Sequence, residues 1–184
     1  MMKIDENLNL VLPLGDLHVY HMPISRAVFE ANYKIIGMTK AELASRGIYF
    51  EMGSGPRIAT LTLMDVSREV DKESKGIALL AEIKRLSMVL APSASGWDMI
   101  PVDTAIARGL FDDEDWLEVQ SALVFFMSHY SLAKKADRQS VMIALASLLL
   151  GSSTLFNCSE FAASLPKSMT AESIGVPVAS AVPR

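Results

Sequence analysis

The sequence predicts a mainly α fold: one helical domain over residues 1–165, with a β-hairpin at 8–22, followed by a disordered, flexible C-terminal tail over 166–184. Three observations predict it. Apolar residues recur every three or four positions through most of the chain between Ser25 and Gly151, the period of amphipathic helices. Strand-like alternation around a two-residue turn is clear only in LNLVLPL-GD-LHVYHM near the start. From Pro166 the chain reads PKSMTAESIGVPVASAVPR, whose Pro, Ser, Ala and Val without period cannot bury enough apolar surface to order themselves.

In the hairpin, Gly15-Asp16 fits a type II′ loop with Gly first. That register pairs Leu14 with Leu17, Leu12 with Val19 and Leu10 with His21. Leu8, Leu10, Leu12, Leu14, Leu17 and Val19 then share one face, and Asn9, Pro13, His18 and Tyr20 take the other. Pro13 donates nothing to a ladder, so its strand is expected at an edge. A lone hairpin is marginal in water, so the Leu face must pack on helices or on another copy.

Ser25 can cap a helix from Arg26, with Val28, Ile35 and Ile36 as core residues and Gly37 as an interruption. Thr39-Lys40-Ala41-Glu42 has capping-box spacing, so a second short helix is expected to run to Gly47. IYFEM (48–52) fits a strand or an extended connector. The GSGP turn (53–56) puts Pro56 at N1 of a helix striped by Ala59, Leu63, Val66 and Val70. DKESK (71–75) reads as a solvated link. After Gly76 comes a helix striped by Leu79, Ile83, Leu86 and Leu90 and stopped by Pro92. SASG is a loop, and Pro101 with Asp103 opens a short helix that Gly109 closes.

Phe111 to Gly151 reads as two helices folded back on each other. Asp112 can cap the first, with Asp113, Glu114 and Asp115 at the positive end of its macrodipole. Phe111 and Trp116 have hydrophobic-staple spacing. Trp116, Val119, Leu123, Phe126 and Tyr130 share a face, and Lys134 and Lys135 suit the negative end. Asp137 can cap the second helix, striped by Val141, Leu145 and Leu148 with Met142 and Leu149 beside them. A further short helix, SEFAASL, can start at Ser159.

Composition narrows the function. Hydrophobic residues make up 51% of 184, mean hydropathy is +0.29 and there are 11 Met. That surplus fits burial against partners and self-association, or a Leu- and Met-rich core. Net charge is -4 with no Lys/Arg run beyond two, so there is no basic footprint for nucleic acid. The single Cys158 excludes an intramolecular disulfide and a multi-Cys zinc site. MMKIDENLNL is no signal peptide, and Val141–Leu150 is shorter than the roughly 20 apolar residues a span needs. The expected location is the cytoplasm, with no membrane partner.

No enzyme signature emerges. His18 and His21 fall on opposite strand faces, so they do not chelate, and His129 has no acidic residue one helical turn away. Ser131-x-x-Lys134 and Ser164-x-x-Lys167 match a serine-acylase spacing without companion motifs. Gly53-Ser54-Gly55 lacks both phosphate-binding glycine frames. The acids at 112–115 serve a helix start and lack EF-hand spacing. No catalytic residue, metal or cofactor is expected.

Several segments together do carry a resemblance: MKIDENLNLV at the start, PISRAVFE, GPRIATL, LLAEIKRLSMVLAPSASGWDMIPVDTAI, ALVFF and the late NCSEFAASLPKS. Across most of residues 2–168 they resemble tail assembly proteins of long-tailed bacteriophages. The resemblance implies a tail assembly chaperone in the host cytoplasm, absent from the finished virion. Such a protein coats the tape measure protein and helps present it to the major tail protein. In many such phages a frameshift adds a C-terminal extension. A homo-oligomer with an apolar groove near Trp116, Phe125, Phe126 and Met127 is the expected partner-binding form, although these four also suit a core. Two alternatives are a structural minor tail or head–tail joining protein, its hairpins paired edge to edge in a ring, and a prophage-derived regulator.

Overall fold

The computed structural model of the protein describes residues 3–5, 7–45, 54–93, 96–150 and 154–155. The hairpin forms in the expected register: β2 (Leu10–Leu14) pairs antiparallel with β3 (Leu17–His21), with Leu14 opposite Leu17, Leu12 opposite Val19 and Leu10 opposite His21. Gly15 has φ +56°, and Asp16 is not among the positive-φ residues, as a II′ loop requires.

The hairpin does not stand alone, and this corrects the fold class. Its outer edges are taken by β1 (Lys3–Ile4) on one side and β4 (Ser87–Ser93) on the other. β5 (Gly96–Pro101) then pairs with β4. The result is a five-stranded antiparallel sheet, extended beyond β1 by the short parallel strand β6 (Thr154–Leu155), in the order β5-β4-β3-β2-β1-β6. The protein is mostly helical but α+β, not a helical domain with an attached hairpin.

Two residues explain how the register works. Asp5 accepts hydrogen bonds from the Asn7 and Asn9 backbone N–H groups at 2.9 and 2.8 Å and from Asn9 Nδ2 at 2.7 Å, which folds the β1–β2 link. Pro13 lies in an interior strand, contrary to the edge position expected. Leu14 and Leu17 close the two-residue loop as a hydrogen-bonded pair, so the Pro13 nitrogen points away from β3. On that side the described residues of β1 pair with Leu10 and Val11.

β4 is the element the helical reading missed. The stripe Leu79, Ile83, Leu86 keeps its helical phase only to the end of α3 (Glu73–Arg85). From Ser87 the chain alternates, with Ser87, Val89 and Ala91 towards the helices and Met88, Leu90 and Pro92 on the other face. Because both faces are apolar, the alternation is masked in the sequence.

The helices are longer than their glycines suggested. α1 (Arg26–Ser45) runs straight through Gly37, with Ser25 Oγ accepting from the Val28 N–H at 3.3 Å. Thr39 opens no second helix: its hydroxyl is buried and donates to the Ile35 carbonyl at 2.8 Å. α2 (Ser54–Glu69) carries Pro56 within its first turn and buries Ala59, Leu63 and Val66. α3 starts at Glu73, inside the segment read as a link. Gly76 lies within it because α2 passes so close that a Cβ there would lie 2.5 Å from Ser67 Oγ.

α4 (Val102–Ala107) ends as expected before Gly109, at φ +67°. α5 (Asp113–Tyr130) has the full capping box, Asp112 accepting from the Asp115 N–H at 2.9 Å and Asp115 from the Asp112 N–H at 3.2 Å. It lies against α1, α2, α3 and β2 and is buried almost all round from Val119 onward. A short 3-10 turn, Lys135–Asp137, leads into α6 (Arg138–Leu150). α6 buries Met142 and Ala146, while Val141 and Leu145 of the expected stripe are only half-buried. One core cluster joins all these helices to the inner sheet residues Leu10, Leu12, Leu14, Leu17, Val19, Val89 and Ile100. The connector 48–52, the helix at Ser159 and the tail 166–184 lie outside the described residues.

Candidate functional site

The four residues expected at a partner groove are core. Trp116 is 4% exposed, and Phe125, Phe126 and Met127 are fully buried. Phe125 meets Phe126 edge-on at 5.5 Å between ring centroids and packs on the His129 ring at 4.5 Å. In this fold they present no surface to a partner. Among the described residues, β4 runs along β3 and β1 covers Leu10 and Val11 of β2, so the hairpin is not the lone pair of strands expected to meet another copy edge to edge.

The histidines fall on opposite sheet faces as their spacing implied. His21 is 1% exposed on the inner face, with Nδ1 2.9 Å from Ser87 Oγ. Ser87 spends its one proton on the Ile83 carbonyl at 2.8 Å, so Nδ1 carries the ring proton and donates. His21 Nε2 is left without a partner, and burial lowers the pKa to about 4. His129 Nδ1 donates to the Phe125 carbonyl at 2.7 Å, and burial again outweighs that bond, with the pKa at about 4. Both rings are neutral near neutral pH. His18, half-buried on the outer face, also has its pKa lowered, by burial first and then by Lys3. Among the described residues, no group of three or more His, Cys, Asp or Glu could hold a metal ion. No helix among them is long and apolar enough to cross a membrane.

The second face of the sheet is the feature that sequence reading missed. Register places Val11, Tyr20 and Met88 in one row, His18, Leu90 and Met99 in the next, and Trp97 opposite Pro92 in a third. Val11 and Leu90 form a small apolar cluster with Tyr20 and Trp97 packed against it, separate from the main core and without a helical residue. Met99 is 48% exposed beside it. An antiparallel sheet packed on one side normally turns polar residues to water on the other; here that face is apolar and aromatic. The available signal was two short runs, SMVLAP and GWDMIP, separated by a Ser/Gly turn. On the helical side, Leu61, Ile77 and Leu117 are exposed one to a helix, which is ordinary for a surface.

No family model matches the chain, and neither a curated protein nor a solved structure is significantly similar to it.

Proposed function

We propose that this protein is a non-enzymatic assembly factor, a phage tail assembly chaperone that binds the tape measure protein in the host cytoplasm. The segment-by-segment resemblance to that family supports the reading. The structural observation that carries it is the apolar outer face of the sheet, where the exposed Met99 and the half-buried Tyr20, Met88 and Trp97 surround the buried Val11 and Leu90. A rigid sheet with aromatic and thioether side chains suits the apolar stripe of an amphipathic helix. Met adapts to varied partners, and Tyr and Trp give large contact area at low entropic cost. This surface takes the place of the groove expected near Trp116.

The test is co-expression with the tape measure protein of the same genome, followed by size exclusion with light scattering. The expected result is a soluble co-eluting complex where the tape measure protein alone is insoluble. Met99→Asp should weaken the complex without lowering thermal stability, because the side chain is half exposed. A tape measure protein that stays insoluble, beside a ring-sized oligomer of this chain alone, would replace the chaperone by a minor tail or head–tail joining component.

A further inference from the structure

A cleft of about 520 Å³ opens where the first turn of α1 meets the end of α5 and the link to α6. A second hollow of about 370 Å³ adjoins it, and the two share Ile24, Tyr130, Lys135 and Arg138. The charge here runs against the rest of the molecule. The chain is net -4, yet the cleft is lined by Arg26, Lys135 and Arg138 against a single carboxylate, Glu30. Glu30 is engaged by Arg26, with Nε donating to Oε1 at 2.7 Å. Lys135 and Arg138 meet no other carboxylate among the residues lining either hollow. Arg138 is half-buried and oriented by donation from its Nε to the Ala133 carbonyl at 3.3 Å.

Hydroxyl groups complete the wall. Ser131 is 5% exposed and lines the cleft, with its side chain hydrogen-bonded to the Tyr130 hydroxyl. The Tyr130 oxygen accepts from the Ile24 N–H at 3.0 Å, and its hydroxyl also pairs with Ser131. Ser25 and Arg26 bring the start of α1, where the first N–H groups lack intrahelical acceptors and the macrodipole is positive.

We infer that this cleft binds a dianionic phosphate group, clamped by Lys135 and Arg138, with the first turn of α1 as a further donor. The site lies apart from the outer sheet face and does not depend on the chaperone reading. The local excess of positive charge matches a dianion better than a single carboxylate. The apolar walls Phe29 and Leu132 leave room for the body of an ester. The phosphate can therefore be free or carried as a phosphomonoester.

Calorimetric titration of the full chain near neutral pH with inorganic phosphate and with phenyl phosphate separates the sources. Tighter binding of phenyl phosphate assigns an ester; equal binding assigns the free ion, and either supports the site. Lys135→Ala and Arg138→Gln should each weaken binding by about tenfold, the loss expected for one charge-assisted contact. Arg85→Ala, on the exposed side of α3, should change nothing. Should Arg138→Gln fail to fold, the exposed Lys135→Ala decides alone. Absence of binding by both probes at millimolar concentration, or binding indifferent to Lys135→Ala, overturns the inference.

Discussion

The hydroxyl of Tyr130, the last residue of α5, accepts a hydrogen bond from the backbone N–H of Ile24 at 3.0 Å. Both residues are buried, and the bond ties the central helix to the segment joining β3 to α1. Burial raises the Tyr130 pKa to about 12, so the hydroxyl keeps its proton across the physiological range. Tyr130→Phe leaves the Ile24 N–H without an acceptor. The expected loss is about 1–3 kcal/mol, read as a lower urea midpoint at unchanged slope.

Stability should fall on mild acidification. His21 and His129 have folded-state pKa values lowered to about 4 from an ordinary 6.5. The unfolded chain therefore takes up protons before the folded one does. The folded state is fully favoured above about pH 6.5 and loses stability as the pH falls towards 4, by at most roughly 3 kcal/mol for each ring. Urea midpoints measured across that interval check the direction. His21→Phe should flatten the dependence, and a midpoint that stays constant down to pH 4 would show that the rings are not buried as neutral groups.

Two helical glycines should respond oppositely to the same substitution. At Gly37 nothing lies within 4 Å of an added Cβ, so Gly37→Ala should stabilise by about 0.5–1 kcal/mol through helix propensity. At Gly76 the Cβ would meet Ser67 Oγ at 2.5 Å and Ser67 Cβ at 2.9 Å. Gly76→Ala should therefore destabilise by about 1–3 kcal/mol as α2 and α3 are forced apart. Thermal midpoints of the two variants suffice.

Trp116→Ala should destabilise by about 3–5 kcal/mol, as expected for emptying a core aromatic site. Weakened partner binding at unchanged stability would instead return Trp116 to the surface role first expected of it. Denaturant titration beside the co-expression assay separates the two.

Features closed within a few residues were legible in the sequence by itself. The Gly15-Asp16 turn dictated the hairpin register, the Asp112–Asp115 box marked the start of α5, and the Trp116-to-Tyr130 stripe is buried as its spacing implied. These rest on local dihedral preference, capping and a single apolar period, all of which act along one stretch of chain. Tertiary structure alone decided whether Leu90 continued a helix or entered a strand, because its run is apolar on both faces and only pairing with β3 and β5 selects the strand. The same holds for Gly37 and Gly76, whose roles depend on whether another helix passes overhead. It holds for Phe125 and Met127, where an apolar residue suits a core or a partner and only the surrounding helices choose. Neither the outer sheet face nor the Lys135–Arg138 cleft was visible beforehand, since each assembles residues distant in sequence that no local signal connects.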